Sequence, residues 1–80
     1  MARIFTVRAR WDEEARRWWT DGEDIPGLTC EADNFDALIE LVFELAPELL
    51  VENGVVDRSG GEEIGLVVMA ERHRATRIAA

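Results

Sequence analysis

The chain changes its hydrophobic period once, and that single change limits what it can fold into. Near the start, apolar side chains fall on alternate residues. Phe5, Val7, Ala9 and Trp11 share one face, while Thr6, Arg8 and Arg10 share the other. Alternation over this length reads as a half-buried strand. From Phe35 onward Leu38, Ile39, Val42, Leu45, Ala46, Leu49 and Leu50 recur at helical spacing instead. One amphipathic helix among strands allows one core, with the helix on one face of a sheet. The chain has 80 residues, and a chain of this size buries only about 60–65% of its unfolded surface. Residues 1–80 are therefore expected to form a single domain.

The remaining elements follow from turns. A turn centred on Glu13-Glu14 predicts a hairpin that pairs Trp11 with Arg16, Ala9 with Trp18 and Arg8 with Trp19. Pro26-Gly27 is a turn signal, because proline presets one central position and glycine tolerates the next. Leu28 to Ala32 then reads as a third strand. Asn34 is a candidate helix N-cap, and Asn53-Gly54 is a stop. Pro47 removes a backbone donor, so a kink or break is expected near Ala46. Gly54 to Glu63 reads as a mobile loop, and Ile64 to Arg72 as the last strand. The order is β-β-β-α-β, an α+β domain with a four-stranded sheet and one helix on one face.

Charge is segregated. Nine arginines and no lysine stand against seventeen acids, for a net charge of −8. Residues 1–20 hold five arginines and three acids; residues 21–63 hold thirteen acids and only Arg58; residues 64–80 hold three arginines and one acid. A bipolar molecule of this kind leaves both basic and acidic partners open. No apolar run approaches the length of a membrane span, so no membrane partner is expected. The N-terminal residues carry no signal-peptide core. With one cysteine, Cys30, and one histidine, His73, an internal disulfide is excluded and a zinc cluster is not expected. The expected compartment is a reducing cytoplasm. No catalytic, cofactor or metal constellation is visible, so an enzyme is not expected.

Two groups of residues invite a functional reading. Asp36, Glu40, Glu44, Glu48 and Glu52 recur every fourth residue on the helix. They form either a solvated outer face or an acidic ridge for a basic partner. Arg8, Arg10, Arg17 and Trp19 share the sheet face that the helix cannot cover. They form either a self-association face, with arginine stems packed on a partner's tryptophan, or a weak nucleic-acid surface. The last strand is apolar on both sides, and Val67 and Met69 extend the self-association surface. Trp18 and Cys30 read as core, and His73 as an exposed residue at the strand end.

The stretch from Phe5 to Gly54 resembles HicB-like antitoxin domains, in particular small stand-alone HicB-like proteins. The resemblance rests on Phe5-Thr6-Val7-Arg8-Ala9 into Trp11-Asp12, on Trp18, on Asp24-Ile25-Pro26-Gly27-Leu28 with Glu31-Ala32-Asp33, and on the helix from Phe35 to the Asn53-Gly54 stop. It implies a partial ribonuclease-H-like topology with a central first strand and the last strand parallel to it. It further implies a non-enzymatic domain that self-associates and neutralises a small basic ribonuclease toxin by binding it. With the uncovered face and the apolar edge strand, a homodimer or higher oligomer is expected. Many members add a C-terminal DNA-binding module. Only seven residues follow His73, so no separate DNA-binding domain is expected here.

Overall fold

The computed structural model describes residues 3–79. Its elements are β1 (Arg3–Asp12), β2 (Arg17–Asp21), β3 (Thr29–Ala32), α1 (Phe35–Glu52), a short 3-10 turn (Arg58–Gly60) and β4 (Ile64–Glu71). The four strands form one sheet in the order β3-β2-β1-β4. β2 runs antiparallel to both its neighbours, and β4 runs parallel to β1. The β-β-β-α-β expectation holds, and β4 is a sheet edge.

The first hairpin departs from the expected register. Arg10 faces Trp19, Trp11 faces Trp18 and Asp12 faces Arg17, a slip of two residues. A two-residue turn at Glu13-Glu14 would need left-handed backbone at both positions, which glutamate resists. The chain uses a longer loop instead. The Asp12 carboxylate accepts from the Glu14 and Ala15 N–H groups, the Arg16 N–H returns to the Asp12 carbonyl, and Arg16 takes a φ of 57°. Because strand side chains alternate with period two, a slip of two leaves every residue on its expected face.

The core lies between the sheet and α1. Val7, Ala9, Thr20 and Ala32 of the strands meet Leu38, Val42, Ala46 and Leu50 of the helix, all buried. Ile25 and Leu28 complete it from the connection after β2. Between them, Pro26-Gly27 makes a tight turn, with the Leu28 N–H on the Ile25 carbonyl and Gly27 at a φ of 88°. That is the type II geometry in which glycine is favoured at the second central position. The turn points both flanking aliphatic side chains inward.

The helix ends behave as the sequence implies. Asn34 Oδ1 accepts from the Ala37 N–H at 2.8 Å. At the other end Gly54 is left-handed, its N–H reaches the Val51 carbonyl, and the Val55 N–H reaches the Leu50 carbonyl. These two bonds satisfy carbonyls that a helix end otherwise leaves open. The expected break near Ala46 is absent, since α1 runs unbroken through Pro47. Pro47 lies on the exposed side, as does Phe43 one turn back, so the carbonyl that loses its donor can turn to water.

Two further expectations need correction. The segment 54–63 is not a free loop. Arg3 forks onto the Glu62 carboxylate and the Val55 carbonyl, Arg58 forks onto Glu48, and the Val55 and Val56 N–H groups both reach Leu50. Glycine content alone conceals these anchors, because they come from residues distant in sequence. Cys30 is half-buried rather than buried, with its sulfur 3.3 Å from the Thr20 hydroxyl. No helix among the described residues is long and apolar enough to cross a membrane.

Candidate interaction surface

Strand pairing assigns the uncovered sheet face residue by residue, since directly paired residues project to the same side. β1 contributes Ile4, Thr6, Arg8 and Arg10; β4 contributes Gly65, Val67, Met69 and Glu71; β2 contributes Arg17, Trp19 and Asp21; β3 contributes Thr29 and Glu31. All six residues expected to mediate self-association, Arg8, Arg10, Arg17, Trp19, Val67 and Met69, therefore share this face. They do not form one uniform patch.

The half over β2 and β3 is a charge lattice. The Arg10 guanidinium lies 5.8 Å from the Trp19 ring centroid and faces Asp21 at 3.7 Å and Glu23 at 3.9 Å. Arg17 bonds Asp33 at 2.7 Å and lies 3.6 Å from Glu31. Trp19 is half-buried under this arrangement, where an exposed ring was expected. The difference comes from Asp21 and Glu23, which draw the Arg10 side chain across the ring. Among the described residues Arg8 has no carboxylate within ion-pair distance, and it is the unneutralised cation of the face.

The half over β4 is apolar. Ile4 is 68% exposed, Val67 43% and Met69 53%. Arg8, Met69, Ala70 and Glu71 line a hollow of about 300 Å³ at this edge. From Ile64 to Ala70 the edge strand has no charged residue and no proline, the two devices by which exposed edges usually avoid pairing. Its helix-side residues Ile64, Leu66 and Val68 are only partly covered. Sequence patterning exposed the apolar character of β4, but Ile4 escaped it, because only the parallel register places Ile4 beside Gly65 and near Val67.

The acidic row on α1 is also present, though thinned. Glu48 is taken by Arg58, whose guanidinium hydrogen bonds and attraction hold that carboxyl below its ordinary range. Asp36, Glu40, Glu44 and Glu52 are exposed. Among the described residues no group of three or more histidine, cysteine or carboxylate side chains is arranged to hold a metal.

The chain is a small α+β domain in which one helix covers one face of a four-stranded mixed sheet, leaving the other face open and an apolar strand at one edge. Residues 4–80 match the family described as a domain of unknown function, DUF1902, and the chain belongs to that family. It is similar over its fold to a hypothetical protein of the extremely thermophilic bacterium Thermus thermophilus, with 34% identity and a TM-score of 0.68, covering 95% of this chain and 100% of that one. No match to a curated protein was found.

Proposed function

We propose that this chain is a non-enzymatic protein-interaction domain of HicB-like type, acting in the cytoplasm by self-association and by binding a basic protein. In the antitoxin form of this reading the basic protein is a small ribonuclease toxin. The observation that carries it is β4: an unpaired edge, uncharged over seven residues, with Val67 and Met69 exposed beside Ile4. Unpaired backbone groups flanked by apolar side chains are a template for another polypeptide. The exposed acids of α1 supply the surface for a basic partner.

The same arginines could serve nucleic acid, and one observation weighs between the two readings. Arg10 and Arg17 each face two carboxylates, so binding phosphate would require breaking those pairs. With a net charge of −8, long-range attraction to a polyanion is also lacking. Self-association is therefore the favoured use of the face.

The test is the mass of the full chain by sedimentation and light scattering at micromolar concentration. An oligomer that Met69→Asp converts to a single chain, with an unchanged circular dichroism spectrum, is the expected outcome. A wild-type protein that remains a single chain overturns the self-association reading. For the basic partner, RNA cleavage by a HicA-type ribonuclease should be inhibited by the wild-type chain and less so by Glu40→Lys with Glu44→Lys. Equal inhibition by both would remove α1 from the binding surface.

A further inference from the structure

Beyond Glu71 the chain continues through residues 72–79 without secondary structure, and every residue of that segment is exposed. Its root is fixed. The Arg72 guanidinium sits 4.3 Å from the Trp11 ring centroid and 3.9 Å from Glu13. Past that root the segment stands off the body. The molecule measures 60 Å along its longest axis against 25 and 19 Å across, and its radius of gyration is 15.3 Å. A compact domain of this length would have a radius of about 12 Å. The arm holds Arg72, Arg74 and Arg77 and no acid, and Ile78 is 86% exposed. Among the described residues Arg74 and Arg77 have no carboxylate within ion-pair distance.

The other end of β4 carries the opposite charge. Asp57, Glu62 and Glu63 precede Ile64, with Arg58 among them turned to Glu48 and Glu62 held by Arg3, and Glu63 is exposed with no ion pair among the described residues. One bare strand thus has an acidic head and a basic tail. A second copy laid parallel along it would set like charge against like. A second copy laid antiparallel about a two-fold axis would set each basic tail on the other's acidic head. A two-fold pair is also the commonest closed assembly.

The backbone is compatible with this arrangement. The Arg8 N–H points away from β4, to Asp24, so the odd residues of β1 serve the parallel ladder. In a parallel ladder the residues directly opposite those, here Leu66, Val68 and Ala70, then turn their own backbone groups outward. Centring the two-fold axis on Val68 sets Leu66 opposite Ala70 of the second copy. Helix-side residues meet helix-side residues, and the two sheets continue as one. Continuing in the same direction carries the arm past Glu63 and Glu62 of the second copy. Of these, Glu62 is already held by Arg3, while Glu63 is the acid within reach of Arg74 that has no ion pair among the described residues.

We propose that two copies join by antiparallel pairing of β4, and that the basic arm Arg72–Ala79 of each docks on the acidic 57–63 loop of the other. The inference rests on the self-association reading and adds to it a register, a second contact and a dependence on salt. The arm explains why an acidic chain keeps three arginines beyond its last strand. The strand supplies the apolar part of the contact and the arm supplies its orientation.

The experiment is a charge exchange in the full chain, read by sedimentation velocity, with circular dichroism confirming the fold. Arg74→Glu and Glu63→Arg should each weaken the dimer about tenfold or more, since each change recurs twice across a two-fold interface. The double variant, carrying both, should recover most of the loss. Raising salt from about 0.05 to about 0.5 M should weaken the wild-type dimer and leave the single variants less affected. A dimer indifferent to both substitutions and to salt overturns the arm while leaving the strand interface standing. Single losses without recovery in the double variant overturn the contact between the arm and the 57–63 loop. A wild-type single chain overturns the self-association reading itself, and the arm with it.

Discussion

The Asp24 carboxylate accepts a hydrogen bond from the backbone N–H of Arg8 at 2.9 Å. The contact stands where a strand is missing. β2 pairs with β1 only at Arg10, Trp11 and Asp12, so among the described residues the first half of β1 has no strand neighbour on that side. Asp24 supplies the acceptor that a strand would have given, from the connection whose Ile25 and Leu28 fill the core.

Asp24→Ala should therefore destabilise the fold by about 1.5 kcal/mol, the low end of the range for a hydrogen bond to a charged group, because the contact is exposed. Asp24→Asn keeps an acceptor and should lose less than half of that. Urea denaturation of the three proteins measures the difference. Equal stabilities for wild type and Asp24→Ala would mean that water replaces the carboxylate without loss.

Helix burial gives a contrast between near neighbours. Leu38 is 0% exposed within the core, while Phe43, larger by volume, is 47% exposed on the flank. Leu38→Ala should cost about 2–5 kcal/mol, as core truncations do. Phe43→Ala should cost under about 1 kcal/mol, because half of its ring never leaves water. A larger loss at Phe43 than at Leu38, read from thermal or urea unfolding, would mean that Phe43 is covered in solution.

Much of this architecture could be read from residue order, and the failures have identifiable causes. Alternation at Phe5–Trp11 placed the two faces of β1 correctly. Asn34, Pro26-Gly27 and Asn53-Gly54 marked turns and caps because each acts through its own local geometry. The hairpin register depended on how Asp12 and Arg16 close the loop, which alternation does not encode. The cover over Trp19 depended on Asp21 and Glu23 drawing Arg10 across from the neighbouring strand. The anchoring of the 54–63 loop depended on Arg3, which lies 52 and 59 residues from its partners there. Local chemistry was legible; pairings between distant charges were not. The candidate surface followed the same division, since the faces were readable and their partition into a charged half and an apolar half was not.

The loop anchors carry a pH dependence of definite sign. Hydrogen bonds from Arg58 hold the Glu48 carboxyl below the ordinary glutamate value of 4.5, with direct attraction adding to them. A hydrogen bond from Arg3 does the same for Glu62. The Ser59 hydroxyl, then its N–H, lower Asp57. A carboxyl depressed in the folded state stabilises that state at neutral pH and stops doing so as pH falls through its depressed value. Carboxyl carbon shifts should thus place the Glu48 and Glu62 midpoints below 4.5, and the Val55 and Val56 amides should lose protection only below those midpoints. All these groups lie at the surface, so salt should reduce the shifts. Midpoints at or above the ordinary value would show that the pairs do not persist in solution.

Pro47 is the last test, and it bears on how α1 tolerates a residue that interrupts helices elsewhere. The helix is continuous across Phe35–Glu52, so the deficit at Pro47 is one missing donor to the Phe43 carbonyl and the crowding of the ring against it. Both lie on the exposed side, where water can take up the carbonyl. Pro47→Ala restores the donor without opening a cavity in the core, since the neighbouring Ala46 is the buried residue of that turn. The intrinsic preference for alanine over proline inside a helix is about 3 kcal/mol. Part of that is offset, because alanine frees the unfolded chain that proline restrains. A net gain of about 1–2 kcal/mol in urea denaturation is the expected result. A loss of stability would mean that the ring makes a packing contact worth more than the bond it removes, at the cleft it lines with Glu48, Val51 and Val56.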